Sequence, residues 1–375
     1  MQIKKTKKLT LLRKLLLLSP FIFLISINII KASDTIYIKK TPEPYRITHE
    51  LLIPEHHTLI IEAGATIEIA DSINMVGMGS IIARGHKDKP ITIRPSNKNW
   101  NHIRMLREAD SLVLEYVVII DGSIYTHDCH AVYKNCEFRN SRSLEWNQSI
   151  SSNHGGSLLI DGCKLKGNNT GEGFLCHNLK APVIKNCKIE KTPDAIEFIQ
   201  CRNGIIKDNI ISNAHDDGID LNACINTQIL QNNISNISDK GIEIGQNSQV
   251  SSTSILIDNN NISNTYAGIH LMQKSDATIT RNTLHRNKQN ILLTELENED
   301  NPNSININNN NLDDNDKQVV TDSTSFYNLE KNYTLKGKDN DESPLKIKFL
   351  IATFLIAFLI IYSLKYLLGK IYNRT

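Results

Sequence analysis

One column of residues recurs through the middle of the chain at a nearly fixed step. Phe138, Leu165, Ile189, Ile211, Ile234, Ile262, Leu284 and Leu312 are separated by 27, 24, 22, 23, 28, 22 and 28 residues. Two positions before each stands Cys136, Cys163, Cys187, Asn209, Asn232, Asn260, Asn282 or Asn310. Each unit carries a second short apolar segment, as in Ala195-Ile-Glu-Phe, Gly218-Ile-Asp-Leu, Gly241-Ile-Glu-Ile and Gly268-Ile-His-Leu. A period of this length marks a repeat architecture. Short alternating segments broken by turn residues, with no helical period, make each unit a rung of a β-solenoid. The fold class expected is all-β: a right-handed parallel β-helix over residues 34–318, with rungs of about 22–28 residues. The five consecutive Asn positions are expected to stack in one column and hydrogen-bond from rung to rung.

A solenoid grows in one dimension, so 375 residues need no second core. The formal charge of +2 comes from basic residues gathered at the two termini, and the body is close to neutral or acidic. That balance argues against nucleic acid as a partner. Residues 1–33 read as a signal peptide or signal anchor, because Lys4, Lys5, Lys7, Lys8, Arg13 and Lys14 precede an uncharged run from Leu15 to Ile30. At the other end, Phe349 to Leu364 has no charge, and a transmembrane helix is expected over 346–368. Lys370 and Arg374 lie in a short tail, 369–375, which the positive-inside rule places in the cytoplasm and the solenoid outside. Residues 319–345 are polar and irregular, and read as a tether. The localisation expected is a cell membrane protein, single-pass or, if the N-terminal segment is retained, two-pass.

Gly79-Ser-Ile-Ile-Ala-Arg-Gly followed by Pro90-Ile-Thr-Ile resembles the opening rungs of exported bacterial right-handed β-helix proteins with the pectate-lyase-like fold. The resemblance covers roughly residues 45–320 and implies a fold; activity resides in sites grafted on it. Of the seven cysteines, Cys136, Cys163 and Cys187 hold the ladder position in successive rungs, and Cys201 and Cys224 match each other. They read as thiols filling small inward slots. No zinc-type spacing is present.

Chemistry concentrates on the second segment of four rungs. If Ile196, Ile219, Ile242 and Ile269 point inward, with Phe198, Leu221, Ile244 and Leu271, the residues between them point outward. Those are Glu197, Asp220, Glu243 and His270. The preceding turns add Asp194, His215, Asp216, Asp217, Asp239 and Lys240. Carboxylates stacked at rung spacing cannot all keep their solution pKa; a proton or a cation is recruited. Such a stripe serves as an acid/base pair for glycoside chemistry, as a calcium site, for which Asp217, Asp220 and Glu243 are the candidate ligands, or as a solvated face. Asp194, Asp216, Asp217 and Lys240 are the candidate catalytic residues, and Glu197, His215, Asp220, Asp239, Glu243 and His270 the candidate binding residues.

The same cluster is similar to polygalacturonase-type glycoside hydrolases. Thr192-Pro-Asp194, His215-Asp216-Asp217-Gly218, Asp239-Lys240-Gly241 and Gly268-Ile-His270-Leu-Met272 fall where successive rungs of that family carry their motifs. Asp194, Asp216 and Asp217 are kept. Lys240 replaces a histidine, and His270 and Met272 replace the Arg and Lys that grip a uronate carboxylate. Asp239-Lys240-Gly-Ile-Glu-Ile-Gly also resembles a rung of surface β-helix proteins without an assigned reaction. Three functions follow as expectations. The first is binding of polysaccharide or another surface polymer. The second is a carbohydrate-active enzyme, either a hydrolase or a calcium-assisted lyase with Lys240 as base. The third is a structural or adhesive spacer.

Overall fold

The computed structural model describes residues 34–334 except 108, 148–155, 248–249, 273, 295–304, 313–317, 322–327 and 331–332. The segments expected to be the signal, the membrane helix and the tail lie outside these residues. Among the described residues, no helix is long and apolar enough to cross a membrane.

The chain winds as a three-sided parallel β-solenoid. Every third strand, in order, joins the same sheet, and the first two sheets each run through 13 strands without a break. The third sheet carries the candidate site. It contains Phe174–His177, Ile196–Ile199, Ile219–Asn222, Lys240–Asn247, Ala267–Met272 and Gln289–Thr294 among its strands. One short antiparallel pair interrupts the scheme, where Gln246 and Asn247 meet Ser251 and Val250. The solenoid also runs further than expected. Strands Val319–Thr321, Asn328–Glu330 and Tyr333–Thr334 pair with the rungs below them. Part of the segment read as a tether is therefore strand, with Val319 in register with Ile291 and Leu329 with Ile307.

Inward positions follow the expected alternation. Ile196, Ile219, Ile242 and Ile269, with Phe198, Leu221, Ile244 and Leu271, are fully buried. Burying each such side chain contributes about 1.5–3 kcal/mol. The thiols are buried and free. Near the middle, Tyr133, Phe138, Trp146 and Phe174 form a packed aromatic group, and the Trp146 indole donates to the Tyr133 hydroxyl at 3.0 Å.

Asparagine shapes the corner between the first and second sheets twice over. Asn135, Asn186, Asp208, Gln231, Asn259, Arg281 and Asn309 all adopt left-handed φ between 53° and 57°, a conformation that Asn and Asp tolerate better than most side chains. The next residue is the ladder. Asn209, Asn232, Asn260 and Asn282 each donate backbone N–H and side-chain Nδ2 to the Oδ1 one rung on, at 2.9–3.0 Å. Each Nδ2 also closes a backbone carbonyl of the preceding rung, such as Ile206 and Ile229. All five Asn are buried.

Candidate functional site

Two columns build the site on the outer side of the third sheet. The strand column runs, rung by rung, Arg104, Tyr125, Glu145, Leu175, Glu197, Asp220, Glu243 and His270. The turn column enters each strand two residues before its first inward position. It is a carboxylate ladder. Asp194 N–H donates to Glu172 Oε2 at 2.7 Å, Asp217 N–H to Asp194 Oδ1 at 2.8 Å, and Lys240 N–H to Asp217 Oδ1 at 2.9 Å. Glycine makes this stacking close. A Cβ on Gly218 would sit 2.5 Å from the Gly241 carbonyl oxygen, and one on Gly241 2.6 Å from that of Gly268.

The alternation is right in direction and wrong in depth. Glu197, Asp220, Glu243 and His270 point away from the core, yet Asp220 is only 8% and His270 only 7% exposed. Asp194 and Asp217 are buried too, at 9% and 4%. Both columns are thus largely closed to water. Only His215 and Asp216 among the candidates are exposed, with Glu197, Asp239, Lys240 and Glu243 half-buried.

Ion pairing then divides the cluster. Lys240 Nζ lies 2.6 Å from Asp239 Oδ2 and 2.9 Å from Glu243 Oε2. His270 Nδ1 meets the same Glu243 oxygen at 3.1 Å, and its Nε2 meets Thr294 Oγ1 at 2.8 Å. Burial alone would push Glu243 up, but the hydrogen bonds and charges of His270 and Lys240 outweigh it and hold its carboxyl below the usual range. Burial would push Lys240 down, but Asp239 and Glu243 outweigh it and keep the ammonium protonated beyond its ordinary range. That is the opposite of what a lysine base requires.

The other carboxylates receive no such relief. Burial pushes Asp217 up to about 8, with Glu243 adding to it and the Lys240 N–H and charge opposing. Burial pushes Asp194 up to about 7, against the Asp217 N–H and with Glu172, Glu197 and Asp216 adding. Glu197 rises to about 7 by burial and the neighbouring Glu172 and Glu145. Asp220, raised well above the ordinary value by burial and by four carboxylates around it, accepts from Asn222 Nδ2 through one oxygen. Its other oxygen, Oδ1, has no hydrogen-bond partner among the described residues.

Two groups of carboxylates converge with their oxygens within 4.8 Å of one another: Glu172, Asp194 and Glu197, and Asp194, Asp216 and Asp217. The second is the trio singled out in the sequence. The first contains Glu172, which sequence reading passed over although it lies 22 residues before Asp194 and so one rung below it. The expected calcium set of Asp217, Asp220 and Glu243 is not among these groups, because Glu243 is turned to Lys240 and His270. Asn222 and Thr294, which orient Asp220 and His270, were also missed, as were Arg104 and Tyr125 in the same column. The Arg104 guanidinium lies 5.7 Å from the Tyr125 ring centre.

Residues 122–255 match the family profile described as right handed beta helix region. The chain carries a right-handed β-helix. Residues 245–347 match the profile described as periplasmic copper-binding protein (NosD). No curated protein matches the chain. Among solved structures, the Dettilon tailspike protein is similar at 13% identity over 76% of this chain and 61% of its own, with a TM-score of 0.50. The A-module of the mannuronan C-5 epimerase AlgE6 of Azotobacter vinelandii is similar at 11% identity over 70% and 69%, TM-score 0.47. The periplasmic alginate epimerase AlgG is similar at 12% identity over 80% and 84%, TM-score 0.45. At these identities the likeness is one of fold. The NosD match raises copper, which favours imidazole and sulfur ligands. Among the described residues of this β-helix, both groups able to hold a metal are made of carboxylates alone, and the thiols are buried in the core. The described residues do not fit copper.

Proposed function

We propose that this right-handed β-helix binds a polysaccharide along the outer columns of its third sheet. One observation carries the reading: Arg104, Tyr125, Glu145, Leu175, Glu197, Asp220, Glu243 and His270 stand in register on one side of the sheet, a row of polar and aromatic groups interrupted by Leu175. A linear sugar polymer offers hydroxyls and apolar ring faces in a matching row, and carboxylates accept from hydroxyls while an aromatic ring covers a sugar face. Glycan-array binding by the full-length chain tests it. Binding should fall at least tenfold in Tyr125→Ala and in Glu197→Gln; a chain that binds no glycan, or binds one equally well in both variants, rejects the reading.

A specific observation favours turnover as a second reading. Asp194, Asp216 and Asp217 converge, and burial raises two of them toward neutral pH, as a general acid requires. Lys240 then serves as a fixed positive charge beside them rather than as the base of a lyase. Release of reducing ends from a bound glycan, lost by about 100-fold or more in Asp216→Asn, would support hydrolysis. The chain is further read as tethered outside a cell membrane through 346–368. Protease treatment of intact spheroplasts should then remove the solenoid, and protection of residues 45–320 would reject the orientation.

A further inference from the structure

At its upper end the acidic face passes into three side chains joined end to end. Glu243, His270 and Thr294 come from successive strands of the third sheet, Lys240–Asn247, Ala267–Met272 and Gln289–Thr294. Glu243 and His270 are register partners, and Thr294 stands opposite Met272, one rung on from His270 and two residues along the strand. Their chain neighbours Leu271 and Leu293 are fully buried, so alternation sends His270 and Thr294 to the outer side. His270 Nδ1 lies 3.1 Å from Glu243 Oε2, and its Nε2 lies 2.8 Å from Thr294 Oγ1.

The partners decide where the protons are. Burial would push the Glu243 carboxyl up, but His270 and Lys240 hold it below its usual range, and an ionised carboxylate only accepts. Nδ1 therefore carries a hydrogen and donates it to Glu243. The neutral ring then keeps its lone pair on Nε2, and the Thr294 hydroxyl donates to it. A histidine that only needed both nitrogens closed would be served by either order; this order is the one that draws a proton from a hydroxyl. His270 is 7% exposed and held at both ends, whereas Thr294 is half-buried and reachable from solvent.

We propose that Thr294, His270 and Glu243 form an acyl-transfer site that hydrolyses a carboxylic ester, with Thr294 Oγ1 as nucleophile, His270 as general base and acid, and Glu243 as a positioning residue. A hydroxyl within hydrogen-bond reach of a base that a third group orients is the arrangement this chemistry needs. As Oγ1 bonds to the ester carbonyl carbon, its proton passes to Nε2. The bond from that carbon to the alcohol oxygen breaks, Nε2 gives the proton to the leaving oxygen, and the acyl group stays on Thr294. Water then adds to the acyl carbon and gives a proton to Nε2. The bond to Oγ1 breaks, Oγ1 takes the proton back, and the carboxylic acid departs. Ester and water are consumed; alcohol and acid are formed. In both halves the Glu243 charge stabilises the imidazolium, and Lys240, 2.9 Å from the same Glu243 oxygen, favours that charge. The site goes beyond the polysaccharide reading and does not depend on it, because a free ester suffices as substrate.

Turnover of p-nitrophenyl acetate by the full-length chain tests the site. Release of p-nitrophenolate is expected, and protein quenched in acid during turnover should carry an acetyl group on the peptide that contains Thr294. Thr294→Val keeps the branched shape without the hydroxyl; it should lose the acetyl group and about 100-fold or more of the rate, while Thr294→Ser keeps both. Glu243→Gln can donate to Nδ1 and so reverse the tautomer. It should lower kcat by about 100-fold or more and leave KM within about twofold, a split that loss of packing would not produce. The acetyl position in the parent chain needs no variant and stands even if one fails to fold. No turnover, an acetyl group found only on other residues, or a folded Thr294→Val chain within about twofold of the parent rate would each overturn the proposal.

Discussion

The solenoid contains two side-chain ladders of nearly the same geometry, and they do opposite things. At the corner between the first and second sheets, Asn209 to Asn310 form a ladder in which the amide is both donor and acceptor. Every polar atom can be closed within the stack: Oδ1 takes two N–H groups and Nδ2 gives to an amide and a carbonyl. At the turn before the third sheet, Glu172, Asp194 and Asp217 occupy the same kind of position but can only accept. Each closes one backbone N–H and is left with a second oxygen that must carry either a charge or a proton. A ladder of amides is therefore complete in itself, whereas a ladder of carboxylates is open to a proton, a cation or a ligand. Chemistry, not placement, separates the structural column from the functional one.

The sharpest way to break the comparison is to remove one rung of the amide ladder. Asn260→Ala leaves the Asn232 N–H without its partner in a dry corner and takes one donor from the Ile229 carbonyl. It should cost on the order of 3 kcal/mol in denaturant unfolding; a cost under about 1 kcal/mol would mean that the ladder is incidental. Turning the same residue into a carboxylate makes the amide column imitate the other. Asn260→Asp should be destabilised by a similar amount at pH 8 and recover part of it at pH 4, where the new group is protonated and able to donate. Stability that does not change with pH would show that charge is not what distinguishes the ladders.

The parent protein should show the acid column's own pH dependence. Asp194, Glu197 and Asp217 have folded values of about 7, 7 and 8, above the unfolded carboxylate values of about 4. Groups raised in this way favour the fold fully below the unfolded value, and that contribution is lost as pH rises through the folded values. With Glu172, Asp216, Asp220, Glu243 and Lys240 facing them, the melting temperature in EDTA should fall between about pH 4 and pH 8. Glu243, held below its usual range by His270 and Lys240, works the other way and loses its contribution as pH falls through its lowered value. A melting temperature that rises over this range contradicts the electrostatics. The smallest effect belongs to Asp217→Asn. It retains the acceptor for Lys240 N–H and discards a charge that burial opposes, so its stability at pH 8 should equal or slightly exceed the parent's. A loss above about 2 kcal/mol would make Asp217 as structural as Asn260.

The sequence shows the amide ladder more fully than the acid one. Asn recurs at a countable step, and its register follows from that step alone. The alternation Ile219-Asp220-Leu221 likewise gives the side of the sheet on which Asp220 lies. It says nothing of depth, because depth depends on neighbours that alternation does not specify. Lys240 lies 23 residues after Asp217, one rung on, and its backbone N–H does meet Asp217. Its ammonium goes instead to Asp239 and Glu243, since a four-carbon stem can choose among several carboxylates within reach. Glu172 escaped notice because its rung, Gly171-Glu172-Gly173-Phe174, has no Ile in the first inward position. The left-handed Asn135, Asn186 and Asn259 were invisible for a different reason: a rich Asn content has compositional explanations, and only the backbone shows that these residues turn corners.

The hydrogen bonds of the two ladders also point in opposite directions along the chain. The N–H of Asn282 is held by Asn310, a residue of the following rung, while the N–H of Lys240 is held by Asp217, a residue of the preceding rung. An amide rung is thus finished by what comes after it, and an acid rung by what comes before. Loss of Asn310 should unprotect the Asn282 amide to hydrogen exchange upstream, and loss of the Asp217 side chain should unprotect the Lys240 amide downstream. For a chain leaving the ribosome N-terminus first, the acid turn can therefore be closed rung by rung as it emerges. The asparagine corner always keeps its newest member waiting for the next.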